Sequence, residues 1–167
     1  EFIYTDVDVN QIMRELEGIF RLRLEEADVP VRIIFEPKLP VCFIHTEKNR
    51  ISQVISNFLS NAFKYTSDGG TIRMELADGT EECMFSVSDN GAGISEEDYV
   101  KIFERFYQVE NIGQYGGTGI GLALSQGIVK AHQGDITVES QLGKGSCFKV
   151  TLKKGDAHFD SSVARVE

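Results

Sequence analysis

The chain has 167 residues, a length that fits one domain with a substantial buried core. Hydrophobic residues make up 41% and charged residues 26%, a composition that excludes disorder throughout. The net charge of −9 excludes a typical nucleic-acid partner, because affinity for phosphate backbones requires basic surface. No apolar run reaches the roughly 20 residues that cross a bilayer, so we expect no direct membrane contact by this chain.

Hydrophobic periodicity predicts three helices. Apolar residues recur at helical spacing over residues 7–28, and this amphipathic helix is expected to end before Pro30. A second apolar stripe predicts a helix over 47–65, and a third helix is expected over 118–131.

Alternation of apolar and polar residues predicts about five strands. Two short runs separated by prolines suit strands joined by a turn, and the later runs alternate as half-buried strands do. The runs are 31–35, 41–44, 72–76, 83–87 and the pair 136–138 and 148–152. The elements predict an α/β two-layer sandwich with about three helices on one face of a mixed, mainly antiparallel sheet. We assign this domain to residues 1–153 and residues 154–167 to a polar tail or linker.

Three polar residues form a stripe on the second predicted helix. Asn57, Asn61 and Lys64 stand at i, i+4 and i+7, away from the apolar stripe. A solvated face is the simpler interpretation, but such a face usually carries glutamate, lysine or arginine rather than asparagine. Two asparagines and a lysine instead offer neutral oxygens to a hydrated cation and a positive charge to a phosphate. From the helix alone, both interpretations stay open.

A glycine-containing turn is predicted after the strand that ends at Asp89. The glycines at 91 and 93 allow backbone to approach a flat ligand closely. A buried carboxylate in such a turn accepts the exocyclic amine of adenine and repels the carbonyl of guanine. Because Asp-Asn-Gly is also a common structural turn, this run alone does not establish a nucleotide site.

A second glycine-rich run, residues 116–121, stands directly before the third helix. Exposed amides and the positive end of a helix predict a phosphate cradle. The run is not a dinucleotide-binding fingerprint, because Leu122 stands where its third glycine would fall and no β-α-β unit surrounds it. A P-loop is also excluded, since the Gly-Lys pair at 143–144 is followed by another glycine in a predicted hairpin.

Taken in order, these segments resemble the nucleotide-binding boxes of the sensor histidine kinases, a family grouped with gyrase, the Hsp90 chaperones and MutL. The similar segments are 51–66 for the N box, 89–94 for the first glycine box, 103–106 for the F box, 117–124 for the second glycine box and 143–148 for a weaker third. The resemblance covers residues 7–153 and is more specific than a lone glycine motif. It implies a Bergerat-type ATP-binding fold with ATP and Mg²⁺ as ligands.

The resemblance implies roles for the residues near the phosphates. Asn61 would bind Mg²⁺ with support from Asn57, and Lys64 would meet a phosphate oxygen. Arg105 in the F box would reach the transferring phosphate, and residues 104–117 would form a mobile lid. The catalytic candidates are therefore Asn57, Lys64 and Arg105.

The resemblance also implies an adenine pocket. Tyr65 would flank the base, and Asp89 would hold its amine. The remaining residues of the predicted nucleotide site are Gly91, Gly93, Ile94, Gly117, Thr118, Gly119, Ile120, Gly121, Leu122 and Ser146.

Position 57 separates this chain from the ATP-hydrolysing relatives. In gyrase and Hsp90 a glutamate stands there and serves as the base for water. An amide has no useful basicity near neutral pH, so Asn57 favours phosphoryl transfer over hydrolysis. The sequence also departs from the family at Thr46, where many relatives carry an aspartate. We expect threonine to cap the helix in its place.

The resemblance implies a protein-histidine kinase whose acceptor histidine lies on an upstream helical dimerisation domain. His45, His132 and His158 do not match the acceptor motif, so we interpret them as structural or solvated. A response regulator or receiver domain is the expected further partner. We expect a cytoplasmic setting, in a parent protein compatible with an inner-membrane anchor. The cysteines, interpreted as reduced core thiols, are Cys42, Cys83 and Cys147.

Two other functions remain alternatives at this point. An ATPase or a protein serine kinase of the same superfamily would use the same pocket, although Asn57 opposes the ATPase. A non-catalytic nucleotide-sensing module is the second alternative, and the presence of all expected pocket residues counts against it.

Overall fold

The structure is a computed structural model that describes residues 3–38, 41–104 and 121–155. Four helices and seven strands occur in these ranges. In chain order they are β1 Thr5–Asp8, α1 Val9–Glu26, β2 Arg32–Phe35, β3 Phe43–Thr46, α2 Lys48–Tyr65, β4 Thr71–Asp78, β5 Glu82–Asp89, α3 Glu96–Tyr99, α4 Gly121–Ala131, β6 Asp135–Gln141 and β7 Gly145–Lys153.

Five of the strands form one mixed sheet in the order β2-β4-β5-β7-β6. The β2–β4 pair is parallel, and the other three pairs are antiparallel. The predicted α/β architecture with a mixed, mainly antiparallel sheet is therefore confirmed. Because β5 is the central strand, its last residue Asp89 lies between Ile72 of β4 and Ser146 of β7.

One face of this sheet is covered by helices. Alternate strand residues such as Phe85, Val87 and Val150 are at most 1% exposed, and they share one core with the apolar sides of α1, α2 and α4. The aromatic rings of Phe58 on α2 and Phe148 on β7 are in tilted contact, with their centroids 5.4 Å apart and an interplanar angle of 36°. Each such buried side chain contributes about 1.5–3 kcal/mol to folding. This packing holds α2 over the centre of the sheet.

The two proline-separated strands do not lie side by side as neighbours. Strand β2 is an edge of the large sheet, whereas β3 pairs with β1 in a separate antiparallel ribbon. Strand β1 was not predicted, because four residues are too few to show a period. Its last residue, Asp8, caps α1 by accepting from the Asn10 amide at 3.1 Å, and it also accepts from the Cys42 amide at 2.9 Å.

The prediction that Thr46 caps α2 is wrong. Glu47 occupies the cap and accepts from the Asn49 amide at 3.2 Å, while Thr46 ends β3 as a fully buried residue. Its hydroxyl lies 2.6 Å from Nε2 of His132, and Nδ1 of the same ring donates to the Ile128 carbonyl at 2.8 Å. A carbonyl only accepts, so Nδ1 carries the proton and Nε2 accepts from Thr46. Burial lowers the pKa of His132, which therefore has the predicted structural role as a neutral ring.

A polar and sulfur cluster lies at the outer end of the β4–β5 hairpin. Cys42 and Cys83 are buried with their Sγ atoms 3.0 Å apart, and neither forms a disulfide. The hydrogen bond with the Cys42 thiol, and then burial, raise the pKa of Cys83. The two residues are free buried thiols, as expected from the sequence. Asp78 forms an ion pair with Lys154. The backbone amide of Lys154 also donates to the Glu81 carbonyl at 2.8 Å. Lys154 is thus still bound to the domain, and the domain boundary stays a prediction.

Across the described ranges, no helix combines the length and hydrophobicity required to cross a membrane.

Candidate nucleotide-binding site

The predicted polar stripe lies on the side of α2, next to its buried apolar face. Asn57, Asn61 and Lys64 are half-buried, while Phe58 and Ala62 between them are at most 3% exposed. Partial burial lowers the pKa of Lys64, because desolvation disfavours its charged form. An ammonium group in this position gains more from a nearby phosphate than one in open water.

Asn57 joins α2 to the first turn of α4. Its Nδ2 atom donates to the Gly121 carbonyl and to the Ser125 hydroxyl, both at 3.1 Å. A Cβ atom added at Gly121 would lie 3.4 Å from Cγ of Asn57, an ordinary van der Waals contact. The structure therefore brings two predicted site residues, Asn57 and Gly121, into direct contact. Ser125 was not singled out from the sequence.

The carboxylate of Asp89 is held by backbone amides. Its Oδ1 atom accepts from the Gly91 amide at 2.9 Å, and the Ser146 amide is a second donor. Burial raises the pKa of Asp89, and the two amides partly offset this rise. No basic side chain in the described part of the chain forms an ion pair with Asp89. A half-buried carboxylate that is bonded to backbone amides can still accept from a neutral donor such as the amine of adenine.

The glycine turn after Asp89 packs against the end of α2. The Ala92 amide donates to the Tyr65 carbonyl at 3.1 Å, and a Cβ atom at Gly91 would collide with that carbonyl. Gly93 has a φ of +70° and lies against the Gln141 carbonyl, where a larger residue would also collide. Burial and then the charges of Asp89 and Asp98 raise the pKa of Tyr65. The Tyr65 carbonyl and the Asp89 carboxylate both lie close to Gly91.

Ser140 on β6 connects the rest of this turn to β7. Its Oγ atom accepts from the Ile94 amide at 2.8 Å and lies 2.8 Å from the Ser146 hydroxyl. The Ser140 hydroxyl also donates to the Gly145 carbonyl at 3.0 Å. Because that donation uses its only hydrogen, Ser146 must donate to Ser140. No sequence signal marked Ser140, since its role depends on the pairing of β6 with β7.

The structure thus places the predicted site residues in two groups. Asn57 contacts the start of α4, while Tyr65, Asp89 and Ser146 surround the glycine turn. Leu122 is half-buried and packs against the core. The predicted residues outside the described ranges are Arg105, Gly117, Thr118, Gly119 and Ile120, together with residues 105–117 of the predicted lid.

A magnesium ion would depend on amide oxygens at this site. The described residues contain no group of three histidine, cysteine or acidic side chains that could hold a metal. Asn61 offers a half-buried amide on the same stripe as Lys64, and amide and phosphate oxygens are ligands that Mg²⁺ accepts. The residues present therefore fit an ion that arrives with a nucleotide.

Comparison with known proteins identifies the family. Residues 46–156 match the model for the histidine kinase-, DNA gyrase B- and HSP90-like ATPases. The adaptive-response sensory kinase SasA of Synechococcus sp. is 38% identical over 154 residues, which cover 89% of this chain and 41% of the relative. The aerobic respiration control sensor protein ArcB of Escherichia coli is 37% identical over 153 residues, covering 87% of this chain and 19% of ArcB. The chain thus spans less than half of these curated relatives.

Solved structures agree in fold. The catalytic domain of histidine kinase ThkA superposes with a TM-score of 0.76 at 26% identity, covering 90% of this chain and 95% of that domain. Full-length ShkA in complex with AMPPNP gives a TM-score of 0.80 at 26% identity, covering 92% of this chain and 32% of ShkA. The chain therefore belongs to the histidine kinase-, DNA gyrase B- and HSP90-like ATPase family, as a catalytic domain of the sensor histidine kinase type.

Proposed function

We propose that this domain binds Mg-ATP and transfers the γ-phosphate to a histidine on a separate helical dimerisation domain, in two-component signal transduction. The observation that carries the proposal is Asp89, a half-buried carboxylate at a glycine turn that packs against the Tyr65 end of the helix bearing Asn57 and Lys64. Adenine specificity and phosphate binding are thereby assigned to one continuous part of the molecule.

Each half of the nucleotide has its own set of residues in this proposal. Asp89 accepts from the adenine amine, Tyr65 flanks the base, and Asn61 holds the Mg²⁺ that neutralises charge on the phosphates. The half-buried Lys64 places a positive charge on the same stripe of α2 for a phosphate oxygen. Arg105 is proposed to reach the transferring phosphate.

The hydrogen bonds of Asn57 support transfer over hydrolysis. Its nitrogen already donates to Gly121 and Ser125, and an amide oxygen does not abstract a proton from water near neutral pH. A histidine acceptor supplies its own nucleophilic nitrogen, so the domain has only to orient the γ-phosphate and stabilise its charge.

The partners are proposed from the same relationship. This chain matches less than half of the length of the sensor kinases SasA and ArcB. We therefore assign the acceptor domain to a part of the protein outside this chain. ThkA has been solved in complex with the response regulator protein TrrA, and we assign a partner of that kind to this protein. We assign the domain to the cytoplasm, because the proposed reaction consumes ATP.

Calorimetric titration of the purified chain with ATP, with and without Mg²⁺, tests the binding function. We expect saturable binding that strengthens with Mg²⁺, and Asn61→Ala is expected to remove chiefly that Mg²⁺-dependent gain. An absence of measurable ATP binding by the wild-type chain would refute the proposal.

A second measurement separates transfer from hydrolysis. Phosphate release by the chain alone should stay far below ordinary enzyme turnover of about 1 per second, and acid-labile phosphate should form only when a matching helical domain is added. Rapid release of phosphate would favour the ATPase alternative. Stable phosphoserine on an added protein would favour the serine kinase.

A further inference from the structure

Ser125 is a buried hydroxyl without a role in the function proposed above. It lies one turn into α4 and is 0% exposed, in contact with Asn57 of α2. A buried hydroxyl is unfavourable unless its hydrogen bonds are made within the protein. The hydrogen-bond partners of Ser125 therefore indicate the role of its hydroxyl.

Three polar groups form a closed triangle at this point. The Ser125 hydroxyl lies 2.8 Å from the Gly121 carbonyl, and Nδ2 of Asn57 lies 3.1 Å from both. The carbonyl can only accept, and Ser125 directs its single hydrogen at it. The Ser125 oxygen must therefore accept from residue 57, so the triangle requires a hydrogen-bond donor there.

This requirement fixes the orientation of the Asn57 amide. With Nδ2 bonded to the two acceptors of α4, the Oδ1 atom on the other branch of the planar amide takes part in neither of these bonds. A carboxylate in the same place would set an oxygen against the Gly121 carbonyl with no proton between them. Two acceptors in contact are unfavourable in a partly buried site, because neither regains the hydrogen bond it lost from water.

We infer that Ser125 is a positioning residue, which turns the Asn57 amide so that its oxygen faces the Mg-nucleotide and which, with Gly121, selects an amide over a carboxylate at position 57. The inference rests on the proposed function, because it takes the ligand near Asn57 to be Mg-ATP. According to this inference, residues of α4 determine that position 57 carries an amide, whereas an ATP-hydrolysing site carries a glutamate base there.

The test compares Ser125→Ala with Ser125→Thr in the 167-residue chain. We expect Ser125→Ala to weaken Mg-ATP binding about 10-fold, because Asn57 keeps only the Gly121 carbonyl as an acceptor and its amide is held less firmly. The affinity for ATP without Mg²⁺ should change less than about 2-fold, because Ser125 bonds to Asn57 and does not belong to the proposed adenine pocket. Ser125→Thr keeps the hydroxyl and should restore the affinity.

Thermal unfolding distinguishes positioning from a merely structural role. Alanine is the better helix former, and a serine bonded to the carbonyl four residues back slightly weakens a helix. These gains offset much of the lost hydrogen bond to Asn57, so Ser125→Ala should lower the melting temperature only slightly. Threonine adds a methyl group to a fully buried site and is expected to lower it. A purely structural serine would instead lose stability in Ser125→Ala and keep its affinity.

A double substitution shows whether Ser125 acts through Asn57. In an Asn57→Ala background, adding Ser125→Ala should cause no further loss of Mg-ATP affinity. The matched control is Gly127→Ala in the same helix, where an added Cβ meets nothing within 4 Å and the affinity should be unchanged.

The outcomes separate this inference from the function on which it rests. If the wild-type chain does not bind Mg-ATP, the proposed function fails and the inference fails with it. If the wild-type chain binds but Ser125→Ala binds equally well, or its effect persists in full beside Asn57→Ala, only the inference is overturned.

Discussion

Two aspartates at opposite ends of the β4–β5 hairpin have different hydrogen-bond and ion-pair partners. At the outer end, Asp78 of the paired strand β4 faces Cys83 and is neutralised by an ion pair with Lys154. At the inner end, Asp89 is held by the amides of Gly91 and Ser146, and burial raises its pKa. The same hairpin therefore carries one carboxylate that is satisfied by the protein and one that retains capacity for a ligand.

The difference supports the proposal that Asp89, rather than Asp78, binds a ligand. Each acidic residue stands beside a glycine turn, so sequence alone gives the two similar surroundings. The ammonium group of Lys154 compensates the charge of Asp78, whereas the neutral amides orient Asp89 without compensating its charge. Sites that bind ligands keep such incompletely compensated groups at an energetic cost to folding.

The largest expected effect distinguishes the two aspartates by nucleotide affinity. Asp89→Asn should weaken ATP binding about 10- to 100-fold, because a hydrogen bond to a charged acceptor is worth about 1.5–3 kcal/mol. Asp78→Asn, the matched control, should leave the affinity within about 2-fold, since that side chain is bonded to Lys154. Calorimetry of both variants would contradict the comparison if their affinities changed equally.

A pH titration sharpens the same contrast. Burial raises the pKa of Asp89 above its ordinary value of 3.8, so the folded chain binds that proton more tightly than the unfolded chain does. As the pH falls through the window above 3.8, Asp89 should add stability while ATP affinity declines. Both changes should be missing in Asp89→Asn. Denaturant unfolding and calorimetry at matched pH values measure them, and parallel declines in the wild-type chain would contradict the assignment.

The smallest expected effect concerns the stability of the outer end. Asp78→Asn should lower the free energy of unfolding by less than about 1 kcal/mol, because the pair with Lys154 is partly exposed. Urea unfolding in low and high salt measures this loss, which should shrink as salt screens the pair in the wild-type chain. A larger loss that is independent of salt would indicate that the cysteine cluster, rather than the ion pair, depends on Asp78.

Much of this molecule could be predicted from its sequence, because the informative residues carry local patterns. The apolar stripe of α2 and the alternation in β5 established the helix and the strand, and glycine marked the turn after Asp89. The polar stripe followed from helical spacing alone. Its role in binding stays a prediction, since geometry without a ligand does not test it.

The features that escaped prediction all depend on partners distant in sequence. Ser125 and Ser140 gain their roles from residues on other elements, 68 and 46 positions away respectively. Thr46 was assigned to a cap on local grounds, but its buried contact with His132, 86 positions away, decided its position. Strands β2 and β3 were placed together because they are adjacent in sequence, whereas pairing with β4 and β1 separates them.

Helix α4 is fastened to the rest of the domain at both of its ends. Asn57 holds its first residue, Gly121, and the buried ring of His132 joins its last turn to Thr46. A helix held at both ends does not rotate about one contact unless the other contact breaks. Breaking a buried polar contact costs about 1–3 kcal/mol. The two ends of α4 are therefore expected to keep their positions relative to α2 and β3 as long as both contacts persist.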